Sequence, residues 1–193
     1  MLESISKIIA KELTKNDVDS DLREICAYGI ETAIYTILST VGLLLIGCLS
    51  GTTKETIVLI IIYYSIQTTG GGYHARSHIS CFVTMLFGLL ICILIMKSSY
   101  INMPVICTFV SIAVTYLLIN PIHLHPNKSY LSYKSKEIIS CARKVTIICV
   151  IFTIFMIRLK SSIGTAAALG LIVSALSRYA GGRQKHRTEC LSD

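Results

Sequence analysis

The short polar stretch at residues 70–81 carries the side chains best suited to chemistry, and it lies between two apolar runs. It reads Gly-Gly-Gly-Tyr-His-Ala-Arg-Ser-His-Ile-Ser-Cys. Three consecutive glycines predict the end of a helix and a turn, because glycine adopts backbone conformations closed to other residues. Cys81 then begins the next apolar run, where the positive end of a helix dipole and the nearby Arg76 favour a thiolate. Cys81 is therefore a candidate nucleophile.

Two histidines could serve as the base for this thiol. On an unbroken helix His74 shares a face with Cys81 but lies about 10 Å away along the axis, at a rise of 1.5 Å per residue. A chain turn between Gly72 and Ile79 would bring the two side chains together. His78, three residues before Cys81, could reach the thiol within the helix and without any turn. Local geometry leaves both assignments open.

Rival interpretations of the same residues do not involve catalysis by a thiol. The side chains could simply face lipid headgroups at a helix junction, as in a structural membrane partner. His74, His78 and Cys81 would also line one helix face as metal ligands, and with His123 and His125 they could serve a non-enzymatic carrier. No glutamate follows His74 as in the HExxH motif, so a metalloprotease of that type is not expected.

The composition excludes an ordinary soluble protein. Of the 193 residues, 53% are apolar and only 15% are charged. A soluble domain carries about 25% charged residues, so this chain lacks the polar side chains to cover a water-facing surface. A lipid environment removes that requirement. The net charge of +7 comes from basic residues that flank apolar runs, so nucleic acid is not expected as a partner.

Six apolar segments predict six membrane-spanning helices. They cover residues 28–49, 56–66, 80–96, 101–119, 145–157 and 163–176. A spanning helix needs about 20 residues, so the second, fifth and sixth segments are short. Polar flanking residues would lengthen these helices enough to cross the membrane, or one of the three segments would be re-entrant. The predicted fold class is an all-α integral membrane protein with about six transmembrane helices.

Residues 1–24 predict an amphipathic interfacial helix before the first span. Leu2, Ile5, Ile9 and Leu13 fall on one helical face, and Lys7, Lys11 and Lys15 fall on the opposite face. Such a helix lies on anionic lipid headgroups, and a solvated tail is the alternative. The segment lacks the apolar run and cleavage site of a signal peptide. The predicted organisation continues with a membrane domain at residues 25–178, including a polar loop at 120–144, and a basic cytoplasmic tail at 179–193.

The distribution of lysine and arginine predicts that both termini are cytoplasmic. With six spans and the N-terminus inside, the cytoplasmic segments hold 14 basic residues. The outer loops hold 4, namely Lys54, Lys97, Arg158 and Lys160. Short cytoplasmic loops carry an excess of lysine and arginine, so this asymmetry supports six spans.

Eight cysteines would suggest disulfides in a small secreted protein. Four of them lie inside apolar runs, where cysteine packs as a small hydrophobe. These four are Cys48, Cys92, Cys107 and Cys149.

The motif around His74 and Cys81 resembles that of the accessory gene regulator B family of Gram-positive bacteria. The family motif has glycine, a variable residue, histidine, and cysteine seven positions after the histidine; this chain supplies Gly72, Tyr73, His74 and Cys81. The polar stretch at residues 121–128, Pro-Ile-His-Leu-His-Pro-Asn-Lys, is similar to a proline-rich Asn-Lys loop in many members. The layout of a basic N-terminus and about six spans is similar as well.

The resemblance implies a multi-pass cysteine endopeptidase of the bacterial cell membrane that removes the C-terminal part of a quorum-sensing propeptide. It implies that His74 and Cys81 form the catalytic pair. An acyl thioester on Cys81 would then let a thiol or hydroxyl of the bound peptide close a thiolactone or lactone ring. The implied partners are the propeptide of the autoinducing signal and membrane lipids, with no cofactor and no metal. The oligomeric state is left open, and a homodimer is compatible with the resemblance.

Further residues are candidates for contacts with the substrate or its oxyanion. They are Gly71, Gly72, Gln67, Arg76 and Lys128. Gln67 departs from the family pattern, because some members carry an arginine seven residues before the histidine. Arg76 or another cation would have to replace that charge.

Overall fold

A computed structural model describes residues 8–9, 20–73, 78–98, 103–120, 135–159 and 161–189. Within these ranges the chain forms six helices and no strand, which confirms the predicted all-α fold class. The helices are α1 Ser20–Leu49, α2 Thr53–Gly70, α3 His78–Lys97, α4 Met103–Ile119, α5 Ser135–Arg158 and α6 Ser162–Glu189. Of the predicted interfacial helix, Ile8 and Ile9 are helical, and its other residues before Ser20 lie outside the described ranges.

The helices extend beyond the apolar segments because polar flanking residues continue the helical hydrogen bonding. The three segments predicted to be short lie in helices of 18, 24 and 28 residues, α2, α5 and α6. Four stretches are long and apolar enough to cross a bilayer: Gly29–Leu49, Ser80–Lys97, Lys136–Arg158 and Ser162–Gly182. Helix α4 is apolar but has only 17 residues, close to the lower limit for a span.

The outer surface of the helix bundle is apolar, as expected for a protein surrounded by lipid. Large apolar side chains are exposed on several helices, among them Ile37, Leu45, Phe87, Leu94, Phe109, Ile112, Ile148 and Ile151. Cys92 and Cys149 are buried in the two apolar clusters of the core, as predicted. Cys48 and Cys107 instead lie on the outer surface, because the helical repeat turns them away from the neighbouring helices.

The last helix, α6, lies at the centre of the bundle. In α6, 61% of the membrane-spanning stretch is buried, whereas the other three long spans are only 11% to 22% buried. Small residues allow this, since Ala166, Ala167 and Ala168 are fully buried. A β-carbon built at Gly170 would lie 3.2 Å from the side chain of Ile62 on α2. Small residues let membrane helices approach closely and gain van der Waals contact.

Contacts at the helix ends show that α2, α4 and α6 run in the same direction. At one end, the Ser162 hydroxyl donates to Glu55 Oε1 at 2.6 Å, joining the starts of α2 and α6. At the other end, Arg178 of α6 contacts the carbonyl oxygen of Asn120, which follows α4. Arg178 also contacts the carbonyl oxygen of Ile66, so the ends of α2 and α4 and the C-terminal part of α6 share one end of the bundle. The charge count predicts this same grouping.

Candidate functional site

The glycines at residues 70–72 end α2, as the sequence predicts. Gly70 is the last helical residue, and Gly71 has φ +70° and ψ 176°, a region that only glycine adopts readily. The N–H of Gly71 donates to the carbonyl oxygen of Gln67 at 2.8 Å and so caps the helix. The chain then leaves the helix axis through Gly72 and Tyr73, the last described residues before His74. We call residues 70–73 the glycine turn.

The hydroxyl of Ser177, on the central helix α6, ties the glycine turn to the bundle. The backbone N–H of Tyr73 donates to Ser177 Oγ at 3.2 Å. Gln67 Nε2 donates to the same oxygen, and the Tyr63 hydroxyl lies 3.5 Å from it. One small side chain thus joins two positions of α2 and the turn that follows this helix.

Two further glycine contacts hold the turn against its neighbours. The α-carbon of Gly72 packs so closely against the Gln67 side chain that a β-carbon at this position would overlap it. On α6, a β-carbon built at Gly181 would lie 2.9 Å from both the carbonyl carbon and oxygen of Gly72. Backbone therefore packs directly on backbone at this point, which requires glycine on α6.

Cys81 lies in the first turn of α3, as predicted, and its side chain is half-buried. Tyr63 of α2 lies near Cys81, and its hydroxyl lies 3.5 Å from Ser177 Oγ, which accepts the N–H of Tyr73. The candidate nucleophile and the glycine turn therefore lie at the same end of the bundle.

The other predicted site residues divide into two groups. His74, Arg76 and Lys128 lie outside the described residues, and for His78 only the backbone is described, as the first residue of α3. Their roles as base, metal ligands or substrate contacts stay predictions. Gln67 and Gly71 are described, and both are engaged within the protein: the amide of Gln67 with Ser177, and the N–H of Gly71 with the carbonyl of Gln67.

Sequence reasoning did not identify Arg178, which it counted among the cytoplasmic basic residues. The side chain is fully buried. Its guanidinium donates to the carbonyl oxygens of Ile66 at 3.2 Å and Asn120 at 3.1 Å, with a longer contact of 3.5 Å to Leu117. It thereby binds the negative C-terminal ends of α2 and α4. The helical repeat held a signal, because Arg178 shares a face with the buried Leu171 and Ser174.

Comparisons with known proteins identify the family of this chain. The profile of the family described as Accessory gene regulator B matches residues 2–177. The chain is 30% identical over 104 residues to AgrB-like protein 2 of Clostridium perfringens strain 13, covering 52% of this chain and 47% of the relative. AgrB-like protein 1 of that strain is 29% identical over 85 residues, or 44% of each protein.

The aligned region thus spans about half the length of these curated relatives. No solved structure matches the chain. The family profile, in contrast, covers the first five helices and the N-terminal part of α6, to Ser177. Together with the all-helical membrane fold, this match shows that the chain belongs to the accessory gene regulator B family.

Proposed function

We propose that this protein is a membrane-embedded cysteine endopeptidase that removes the C-terminal part of a quorum-sensing propeptide. The observation that carries the proposal is that Cys81 and the glycine turn that precedes His74 lie at the same end of the bundle, where Ser177 accepts the N–H of Tyr73 and lies 3.5 Å from the Tyr63 hydroxyl. A thiol beside a histidine at one end of a membrane bundle suits attack on a peptide that lies along the membrane surface. Family membership supports a role in peptide processing.

In the first step, His74 takes the proton from Sγ of Cys81, and the thiolate attacks a carbonyl carbon of the propeptide. The carbon–nitrogen bond of the tetrahedral intermediate then breaks. His74 returns the proton to the departing amine, so the C-terminal fragment leaves with a free amino group. The N-terminal part remains on Cys81 as an acyl thioester, and no atom is oxidised or reduced.

The negative oxygen of the tetrahedral intermediate needs hydrogen-bond donors. The N–H of Gly71 donates to Gln67 and that of Tyr73 donates to Ser177. We assign the oxyanion to N–H groups at the start of α3, beside Cys81, because the positive end of the helix dipole lies there. Arg76 and Lys128 are the cationic candidates for holding acidic groups of the peptide.

In the second step, a thiol or hydroxyl inside the bound peptide attacks the thioester carbonyl. The carbon–sulfur bond to Cys81 breaks, a thiolactone or lactone ring forms, and the proton of the attacking group returns to the Cys81 thiolate. Exchange of one thioester for another is nearly balanced in free energy, so holding the two groups together is sufficient without ATP. The same group of the peptide thus regenerates the enzyme and closes the ring.

The thioester gives a direct test of the proposal. A cell that makes both this protein and its propeptide is expected to accumulate a covalent adduct on Cys81, visible as a mass increase by intact-protein mass spectrometry. Hydroxylamine at neutral pH should release the adduct, because it cleaves thioesters, and a reductant should not, because the bond is not a disulfide. A carrier or a structural membrane protein would form no adduct. An adduct that only a reductant removes would contradict the mechanism.

We further propose that the glycine turn, the segment between α4 and α5 and the C-terminus face the cytoplasm. The basis is the excess of basic residues in the segments predicted to be cytoplasmic, 14 against 4. In a background without other cysteines, a cysteine in place of Ser132 should react with a membrane-impermeant maleimide only after the cells are opened. A cysteine in place of Ser161, at the opposite end of the bundle, should react in intact cells. Labelling of the Ser132→Cys protein in intact cells would contradict the proposed orientation.

A further inference from the structure

We propose that Ser177 is a positioning residue for the reaction: from the central helix α6 it holds the glycine turn so that His74 meets Cys81. This inference rests on the proposed function, because it assumes that His74 and Cys81 work as a pair. It concerns a residue far from the catalytic motif in sequence. Ser177 lies on a different helix from Cys81 and is separated from Tyr73 by more than a hundred positions.

The first observation is the direct bond from the turn to α6. Ser177 Oγ accepts a hydrogen bond from the backbone N–H of Tyr73. His74 is the next residue along the chain. Fixing that N–H fixes one end of the short link between the helix end at Gly70 and His74. A link of so few residues transmits a shift at Tyr73 to the imidazole.

The second observation is that Ser177 is itself fixed by two side chains of α2. Gln67 Nε2 donates to it, and the Tyr63 hydroxyl lies 3.5 Å away. Tyr63 also lies near Cys81, so one side chain of α6 contacts both the turn that precedes His74 and a neighbour of Cys81. A serine hydroxyl can accept two hydrogen bonds and donate one, which suffices for these three neighbours.

The third observation is independent of hydrogen bonding. Gly181, four residues after Ser177 and so on the same face of α6, packs its backbone against the carbonyl group of Gly72. Helix α6 therefore contacts the turn at two successive residues, Gly72 and Tyr73, through two different kinds of contact. The turn has little freedom to move relative to α6.

Loss of the contact between Ser177 and the glycine turn is expected to slow the chemical step without weakening the binding of propeptide. Ser177→Ala removes the acceptor of the Tyr73 N–H and lets the turn relax. A displacement of ~1 Å at a reacting group costs about a hundredfold in rate. We therefore expect kcat for propeptide cleavage to fall by about tenfold to a hundredfold, with KM changed by less than about twofold. Gly181→Ala keeps every hydroxyl but pushes the Gly72 backbone, and it should lower kcat in the same way.

Two matched controls separate positioning from general loosening of the bundle. Ser174→Ala removes a hydroxyl from the same helix, but that hydroxyl bonds only its own helix, at the carbonyl of Gly170, 2.7 Å away. Gly88→Ala adds a methyl group to α3 where no atom lies within 4 Å. Both controls should keep the kcat of the unchanged protein. Equal losses in Ser174→Ala and Ser177→Ala would overturn the positioning role.

A second measurement needs no propeptide and so distinguishes this inference from the proposed function. In purified protein with Cys81 as its single cysteine, the rate of alkylation by iodoacetamide at pH 7 reports activation of the thiol by His74. We expect Ser177→Ala and Gly181→Ala to slow alkylation to the rate of the His74→Ala protein, about tenfold or more below the parent. If alkylation shows this pattern and no propeptide is cleaved, the positioning role stands and the peptidase proposal fails. Parent-like alkylation and kcat in Ser177→Ala would overturn the positioning role and leave the peptidase proposal intact.

Discussion

Replacing Cys81 by serine is expected to lower propeptide turnover by roughly a thousandfold or more, because a serine hydroxyl is a far weaker acid than a thiol. A single histidine can take the proton of a thiol but activates a hydroxyl poorly without a third residue. The substitution keeps the size and polarity of the half-buried side chain, so the protein should still insert into the membrane and bind propeptide. The measurement is the rate of appearance of the C-terminal fragment in membranes that contain equal amounts of each protein.

A matched cysteine elsewhere provides the control for this experiment. Cys107 lies on the exposed outer surface of α4, away from the glycine turn. Within a helix a serine at this position can bond the carbonyl oxygen one turn earlier, so Cys107→Ser should be mild. It should cleave propeptide at nearly the rate of the unchanged protein. Full cleavage by the Cys81→Ser protein would show that Cys81 is not the nucleophile. The interpretations as a carrier or a structural membrane protein would then be favoured.

Replacing His74 by alanine is expected to reduce cleavage by about a hundredfold to ten-thousandfold, the usual contribution of a general base. His78→Ala should keep most of the activity. Each substitution removes one histidine side chain, and the two positions are four residues apart, so each protein is a control for the other. Cleavage rates of the two proteins at equal expression decide between the bases that local geometry leaves open.

The position of the glycine turn explains why we expect His74 to be the base. Helix α2 ends at Gly70 and the glycine turn that follows is not helical, so α2 and α3 are not one continuous helix. A turn of the chain between Gly72 and Ile79 would remove the separation of about 10 Å that an unbroken helix imposes on His74 and Cys81. If His78→Ala were the inactive protein and His74→Ala the active one, the base would instead be the residue one helical turn before Cys81.

Local sequence signals predicted the parts of the site that depend on neighbouring residues. Three glycines predicted the end of α2, and the apolar run after them predicted that Cys81 lies in the first turn of α3. Both features depend on the types of a few neighbouring residues, which can be read directly from the sequence. The bounds of α2, α5 and α6 were less predictable, because polar residues extend these helices beyond their apolar segments.

The role of α6 could not be predicted in the same way. In water, a helix shows its buried face by the alternation of apolar and polar residues. In a membrane both the lipid-facing and the buried side chains are apolar, so Leu171, which is buried, and Leu176, which is exposed, look alike in sequence. The contacts of Ser177 and Gly181 with the glycine turn join residues that are distant in sequence. A serine and a glycine in an apolar helix give no indication in the sequence that they contact the glycine turn.

The burial of Arg178 has a consequence for how the protein is made. The carbonyl groups that it binds belong to α2 and to the end of α4, which the ribosome produces before α6. Unpaired backbone groups in a membrane cost several kcal/mol each, so these helix ends stay solvated until the arginine arrives. The same last helix brings Ser177 and Gly181 to the glycine turn. A chain still in synthesis holds both His74 and Cys81 but lacks the helix that we propose aligns them, so we expect cleavage of propeptide to begin only when translation of the final span is complete.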